Sequence, residues 1–200
     1  MMRADAARNR ARVLAAAEVV LGEQGPAARM DEIARRAGVG VGTVYRHFAT
    51  KEALYAAIIS ARVELLLQAA ARLRTAATPK TAFFDFFTQI VADAAGRKSL
   101  TDALRGAGVD PKAEQSEQRT RMRAALTELL HDAQRVGAVR PDIDMPEVLA
   151  LLRGASLAAE TGDYPGPVLD RALAVLFDGV RPPTARPSGG NRLSRAAELP

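Results

Sequence analysis

The sequence predicts an all-α chain of nine helices, three in an N-terminal head and six in a larger body. Three observations predict it. Apolar residues recur at i, i+3, i+4 and i+7 through successive segments. Most segments open on a cap residue or a proline. Glycine and proline separate them.

The first helix is expected over residues 5–24, where Val13, Ala16, Ala17, Val20 and Leu21 form one stripe. Gly25 and Pro26 stop it. Met30, Ile33, Ala34 and Ala37 mark a second helix, with Asp31 and Glu32 in its first turn, where the helix dipole favours anions. Gly38 ends it. The third runs through Val39–Phe48, with Val41, Val44 and Phe48 as its apolar side. A helix this short does not hold itself together in water, so its neighbours must hold it.

Thr50 caps a fourth helix, Lys51–Ala76, with Leu54, Ile58, Ala61 and Leu65 in one stripe. At about 1.5 Å per residue it is long enough to run from head into body. Thr78 and Pro79 open the fifth, which carries four of the six phenylalanines, Phe83, Phe84, Phe86 and Phe87. They point all round the helix, so it must be enclosed on every side. That enclosure is either a packed bundle centre or the lining of an apolar cavity. Ser99-Leu100-Thr101-Asp102 reads as a capping box for a short sixth helix ending at Gly106. The seventh runs from Asp110 and Pro111 to about Val136, with Met122, Ala125, Leu126, Leu129, Leu130 and Ala133 in its stripe. Asp144 to Glu147 begin the eighth, which ends at Gly162, and Pro165 to Pro167 lead into the ninth. These last two helices are apolar enough to pack within one subunit or against a second copy. Leu149, Leu152, Ala155, Ala159, Leu169, Leu173, Leu176 and Phe177 are the candidate contacts between copies. Residues 182–200, rich in proline and glycine, read as a disordered tail.

The second and third helices, joined by a tight glycine turn, read as a helix-turn-helix, which lays its second helix in the DNA major groove. Thr43, Tyr45, Arg46 and His47 leave that helix away from its apolar side. Gly42 lets an opposing surface come close to the backbone. Arg46 is the one strong bidentate donor available to a base edge, and Val41 suits a thymine methyl. Arg29 stands where a helix normally wants Ser, Thr, Asp or Asn. A phosphate would turn that unfavourable cation into a contact; otherwise it is a solvated side chain.

Met30 to Val39, then Gly42 to Phe48, then Lys51-Glu52-Ala53-Leu54 resemble the DNA-binding head of the tetracycline-repressor (TetR) family of transcription regulators. The match is unbroken from about Arg10 to Tyr55; the remainder is similar in length, helix content and order. The resemblance implies a head at 1–50, a ligand-binding and dimerisation body at 51–181 and the tail at 182–200. It implies that Thr43, Tyr45, His47 and Lys51 position the phosphate backbone. It favours a small-molecule effector in the body, with Phe83, Phe84, Phe86, Phe87, Met122 and Leu126 as candidate lining. A homodimer on a palindromic operator, released by a largely apolar ligand, is the function expected.

Charge agrees. The net +5 is unevenly placed: nine Lys/Arg against five Asp/Glu in residues 1–51, sixteen against seventeen in 52–181, three against one in 182–200. A basic head is what meets phosphates. With no cysteine there is no disulfide framework or thiol nucleophile, as suits a reducing cytoplasm. The Arg-rich N-terminus lacks the apolar core of a signal peptide. No run of about 18 apolar residues announces a membrane span. No phosphate loop or metal-ligand cluster suggests an enzyme, and no cofactor is expected. The rival reading is an all-α protein-interaction module with a vestigial helix-turn-helix.

Overall fold

The computed structural model describes residues 2–76, 78–96 and 116–183. Among them are eight α-helices and no strand: α1 (Met2–Gln24), α2 (Met30–Ala37), α3 (Val41–His47), α4 (Lys51–Ala76), α5 (Pro79–Ala95), α6 (Ser116–Arg135), α7 (Met145–Thr161) and α8 (Gly166–Val180). A 3-10 turn, Gly25–Ala27, links α1 to α2. The short helix expected at 99–106, the first residues of the next and most of the tail lie outside the described residues.

Buried apolar residues form two clusters. The first gathers the α1 stripe, Met30, Ile33, Ala34 and Ala37 of α2, Val44 and Phe48, and the near end of α4 from Leu54 to Ile59. The second holds Ala70 of α4, the phenylalanines of α5, Leu126, Leu129, Leu130 and Ala133 of α6, and residues of α7 and α8. Helix α4 serves both. At its near end α1 packs on it, and at its far end α5 and α6 do. Polar pairs fasten the α6 side: Gln118 Nε2 donates to Ser60 Oγ at 2.7 Å, Arg121 pairs with Glu64 at 3.0 Å, and Arg74 reaches both Glu128 and Asp132.

By length and composition α4 is apolar enough to cross a membrane. The sequence does not show this as an unbroken run because Arg62 and Glu64 interrupt it. Both of those charges are paired to neighbouring helices, and the apolar residues on either side enter the two clusters. A helix shared by two cores collects apolar residues on several faces, which is the composition a lipid span also has.

Capping follows local chemistry. Thr50 Oγ1 accepts from Ala53 N–H at 3.1 Å, closing the start of α4. Glu147 accepts from Asp144 N–H at 3.0 Å at the start of α7. Gly38 ends α2 in the left-handed region, φ 64°, with its N–H turned back to the last carbonyls of the helix.

Candidate nucleic-acid interface

Helix α3 has seven residues and one buried side chain, Val44. Its anchors are therefore few. Val44 and Phe48 enter the head cluster, and Val39 packs partly against it. Val41 does not belong to that apolar side: it is 43% exposed, and Tyr45 is 50% exposed. Val41 opens the helix, one turn before Val44, and lies outside the head cluster, so Val44 is the one buried side chain of α3. The outward surface of α3 is thus Val41, Gly42, Tyr45 and Arg46, with Thr43 and His47 half-buried at its margins. A methyl built on Gly42 meets nothing within 4 Å, so its approach is open from outside.

Two arginines of α1 hold the ends of this helix, a role the sequence reading missed. Arg12 Nη2 donates to the Gly38 carbonyl at 3.2 Å, just before α3. That cation also sits at the C-terminus of α2, where the dipole favours it. Arg10 lies over the Phe48 ring, 5.4 Å from its centroid, just after α3. Only the fold brings residues 10 and 12 to these places, since 26 positions separate Arg12 from Gly38. Arg36 adds a pair to Glu23 of α1 at 2.8 Å.

Lys51, half-buried at the start of α4, has its ammonium 5.6 Å over the Tyr55 ring. Arg29 is exposed and grips Asp31 with two nitrogens, Nε to Oδ1 at 3.1 Å and Nη2 to Oδ2 at 3.2 Å. Its hydrogen bonds hold the Asp31 carboxyl below its ordinary range. Asp31 in turn accepts from Glu32 N–H at 3.0 Å, which supplies the N-terminal hydrogen bond that Arg29 lacks the oxygen to make. A phosphate at Arg29 would have to compete with that carboxylate.

The six candidate ligand residues are brought together by α5 and α6, but as packing. Phe83, Phe84, Phe86, Phe87 and Leu126 are buried and Met122 is half-buried. Phe83 stands edge-on to Phe84, with centroids 5.5 Å apart; Phe177 closes on Phe84 and Phe87 at 5.0 and 5.5 Å. A shallow groove of about 290 Å³ between α4 and α5 is lined by Ala69, Arg72, Leu73, Ala76 and Gln89, none of them in the candidate set.

The candidate contacts between copies divide. Leu152, Ala159 and Leu173 are buried in their own subunit, and Leu149, Ala155, Leu169, Leu176 and Phe177 pack partly against the same cluster. Their apolar neighbours point outward instead: Leu151, Leu157 (59% exposed), Val168 and Val175 (74%). The most apolar positions of a two-sided helix go to its own core, and the second face is read less easily from sequence.

A short helix presenting a phenol, a guanidinium and a glycine on a basic, helix-turn-helix head defines a DNA-binding protein of the transcription-regulator class. Comparison with known proteins narrows this. Residues 13–58 match the family described as bacterial regulatory proteins, tetR family. Residues 78–182 match the C-terminal domain described as transcriptional regulator SbtR-like. A TetR transcription regulatory protein of Mycobacterium vanbaalenii is similar in structure, with a TM-score of 0.77 and 43% identity over 91% of this chain and 100% of that one. A TetR regulator of Streptomyces coelicolor gives 0.73 and 34%, over 88% and 99%. The HTH-type transcriptional activator FasR of Mycolicibacterium smegmatis is 39% identical over 82 residues, which span 37% of each chain. The chain belongs to the TetR family of DNA-binding transcriptional regulators and is not an enzyme.

Proposed function

We propose that the chain acts as a cytoplasmic homodimeric repressor that binds a palindromic operator and is released by a small, largely apolar ligand. The division into a DNA-binding head (1–50), a ligand-binding and dimerisation body (51–181) and a tail (182–200) belongs to this reading. The observation that carries it is the surface of α3: Val41, Gly42, Tyr45 and Arg46 face outward while Val44 and Phe48 anchor the helix from behind. In the proposal Arg46, Gly42 and Val41 meet base edges, and Thr43, Tyr45, His47, Lys51 and Arg29 meet phosphates. The outward apolar face of α7 and α8, with Leu151, Leu157, Val168 and Val175, supports a twofold contact with a second copy. The close-packed phenylalanines of α5 support an effector that is apolar and that must displace ring contacts to enter.

Selection of a duplex from a random pool, followed by titration at two salt concentrations, tests the reading. Sequence-dependent binding that weakens steeply with salt is expected. Equal, weak binding to all duplexes would favour the interaction-module alternative. Activation in place of repression is a second reading, favoured by the likeness of part of the chain to the activator FasR. Placing the selected site upstream of a reporter separates the two by the sign of the response.

A further inference from the structure

Arg62 occupies the level of α4 between the two apolar clusters. The head cluster reaches Ile59, with Ala61 partly packed on it, and the body cluster begins at Leu66. In this gap the guanidinium joins helices from both sides. Its Nε donates to Glu18 Oε1 of α1 at 2.9 Å, and its Nη1 to Asp93 Oδ1 of α5 at 3.4 Å. Arg62 and Asp93 are 22% and 18% exposed, so solvent screens them only in part. The guanidinium also lies against the end of α5: a methyl on Gly96 would come within 3.3 Å of Nη1.

We infer that Arg62 is a positioning residue that couples α5 of the body to α1 of the head, and through α1 to the recognition helix. The inference rests on the reading of the chain as a DNA-binding regulator. A guanidinium is a rigid planar fork, so its two arms cannot reorient independently. The Glu18 arm has an ordinary length, whereas the Asp93 arm is near the limit of a hydrogen bond. A shift of α5 therefore strengthens or breaks the Asp93 arm first, and the tilt of the fork carries Glu18 with it. Glu18 lies on α1, whose Arg10 and Arg12 hold the two ends of α3.

The chain contains no cysteine, so nitroxide labels can be placed at will. Ala15→Cys on α1 and Thr88→Cys on α5 are both exposed positions. The distance between them is read by pulsed electron resonance, with labelled chain diluted in excess unlabelled chain to isolate distances within a subunit. Glu18→Gln and Asp93→Asn are expected to broaden the distribution and Arg62→Met to broaden it further. Glu18→Gln should add nothing on the Arg62→Met background. Arg62→Lys keeps the charge without the fork and should leave the distribution broad. Glu18 is the most exposed of the three, so Glu18→Gln keeps the test open should Arg62→Met not fold. With the duplex selected by the parent chain, Glu18→Gln should weaken binding roughly three- to tenfold. The salt slope should stay unchanged, since neither group touches a phosphate. A lower melting temperature with an unchanged distance distribution overturns the inference, as does broadening with no loss of affinity. If the parent chain selects no duplex at all, the regulator reading fails and takes the DNA-facing part of the inference with it. The distance measurement still decides whether Arg62 couples the two helices.

Discussion

Helices α3 and α5 make opposite use of their side chains. Helix α5 has 17 residues and buries eight of them, including four phenylalanines. Helix α3 has seven and buries Val44 alone. The first is held by what it contributes to the core. The second is held by what others contribute to it: the Arg12 bond before it, the Arg10 stack after it and the pocket for Phe48. A helix that buries one side chain of seven leaves most of its surface outward, and the difference from α5 lies in which element supplies the packing.

That contrast can be broken by substitution. Phe87→Ala removes a ring that is 1% exposed and should destabilise the protein by about 3–5 kcal/mol, read by chemical denaturation. A loss under about 1 kcal/mol would mean that α5 is not the packed centre. Arg46→Ala should do the reverse. Its side chain is exposed, so the melting temperature should hold while affinity for the selected duplex falls by about 1–3 kcal/mol. The loss should concentrate at one base pair of each half-site. A uniform loss with a shallower salt slope would reassign Arg46 to a phosphate.

Smaller effects sharpen the same contrast. Gly38→Ala places a Cβ in the left-handed region and 2.6 Å from Arg12 Nη2, so it should destabilise by about 1–2 kcal/mol and also weaken DNA binding. Tyr55 is 1% exposed, its hydroxyl makes no hydrogen bond among the described residues, and burial pushes its ionisation up to about 12. Tyr55→Phe should therefore leave stability unchanged or raise it by about 1 kcal/mol, because a buried hydroxyl without a partner is a cost. A clear loss of stability would show that the hydroxyl is used.

The smallest effect belongs to the far end of the body. Arg140 grips Asp142 and holds its carboxyl down to about 2, below its ordinary value, while Arg140 N–H donates to the Val180 carbonyl at the end of α8 at 3.0 Å. A carboxyl whose folded-state value is depressed adds stability above its unfolded value and loses it as pH falls towards 2. Asp142→Asn should flatten that acid limb of the stability curve slightly, and leave neutral-pH DNA binding unchanged.

Much of this was legible in sequence because helical periodicity is local. The stripe Val13, Ala16, Ala17, Val20 and Leu21 is buried as its spacing requires. Thr50 caps α4, and Gly38 takes the left-handed turn between the two helices of the motif. Where spacing misled, the cause was a choice between faces. Val41 sits on the apolar spacing of α3 and yet faces out. Leu152, Ala159 and Leu173 face in, although either side of α7 or α8 offers apolar residues. The sign of a helix face depends on which neighbours arrive, and periodicity carries no information about them.

The order of residues alone carried the eight described helices and most of their ends, the helix-turn-helix and the excess of positive charge on the head, because each follows from contacts a few positions apart or from a count. Folding in three dimensions assigned Arg10 and Arg12 to the two ends of α3, Phe177 to the rings of α5, and Arg62 to the gap between the two cores. Those pairings join residues tens of positions apart, and a side chain acquires such a partner only when whole helices have packed.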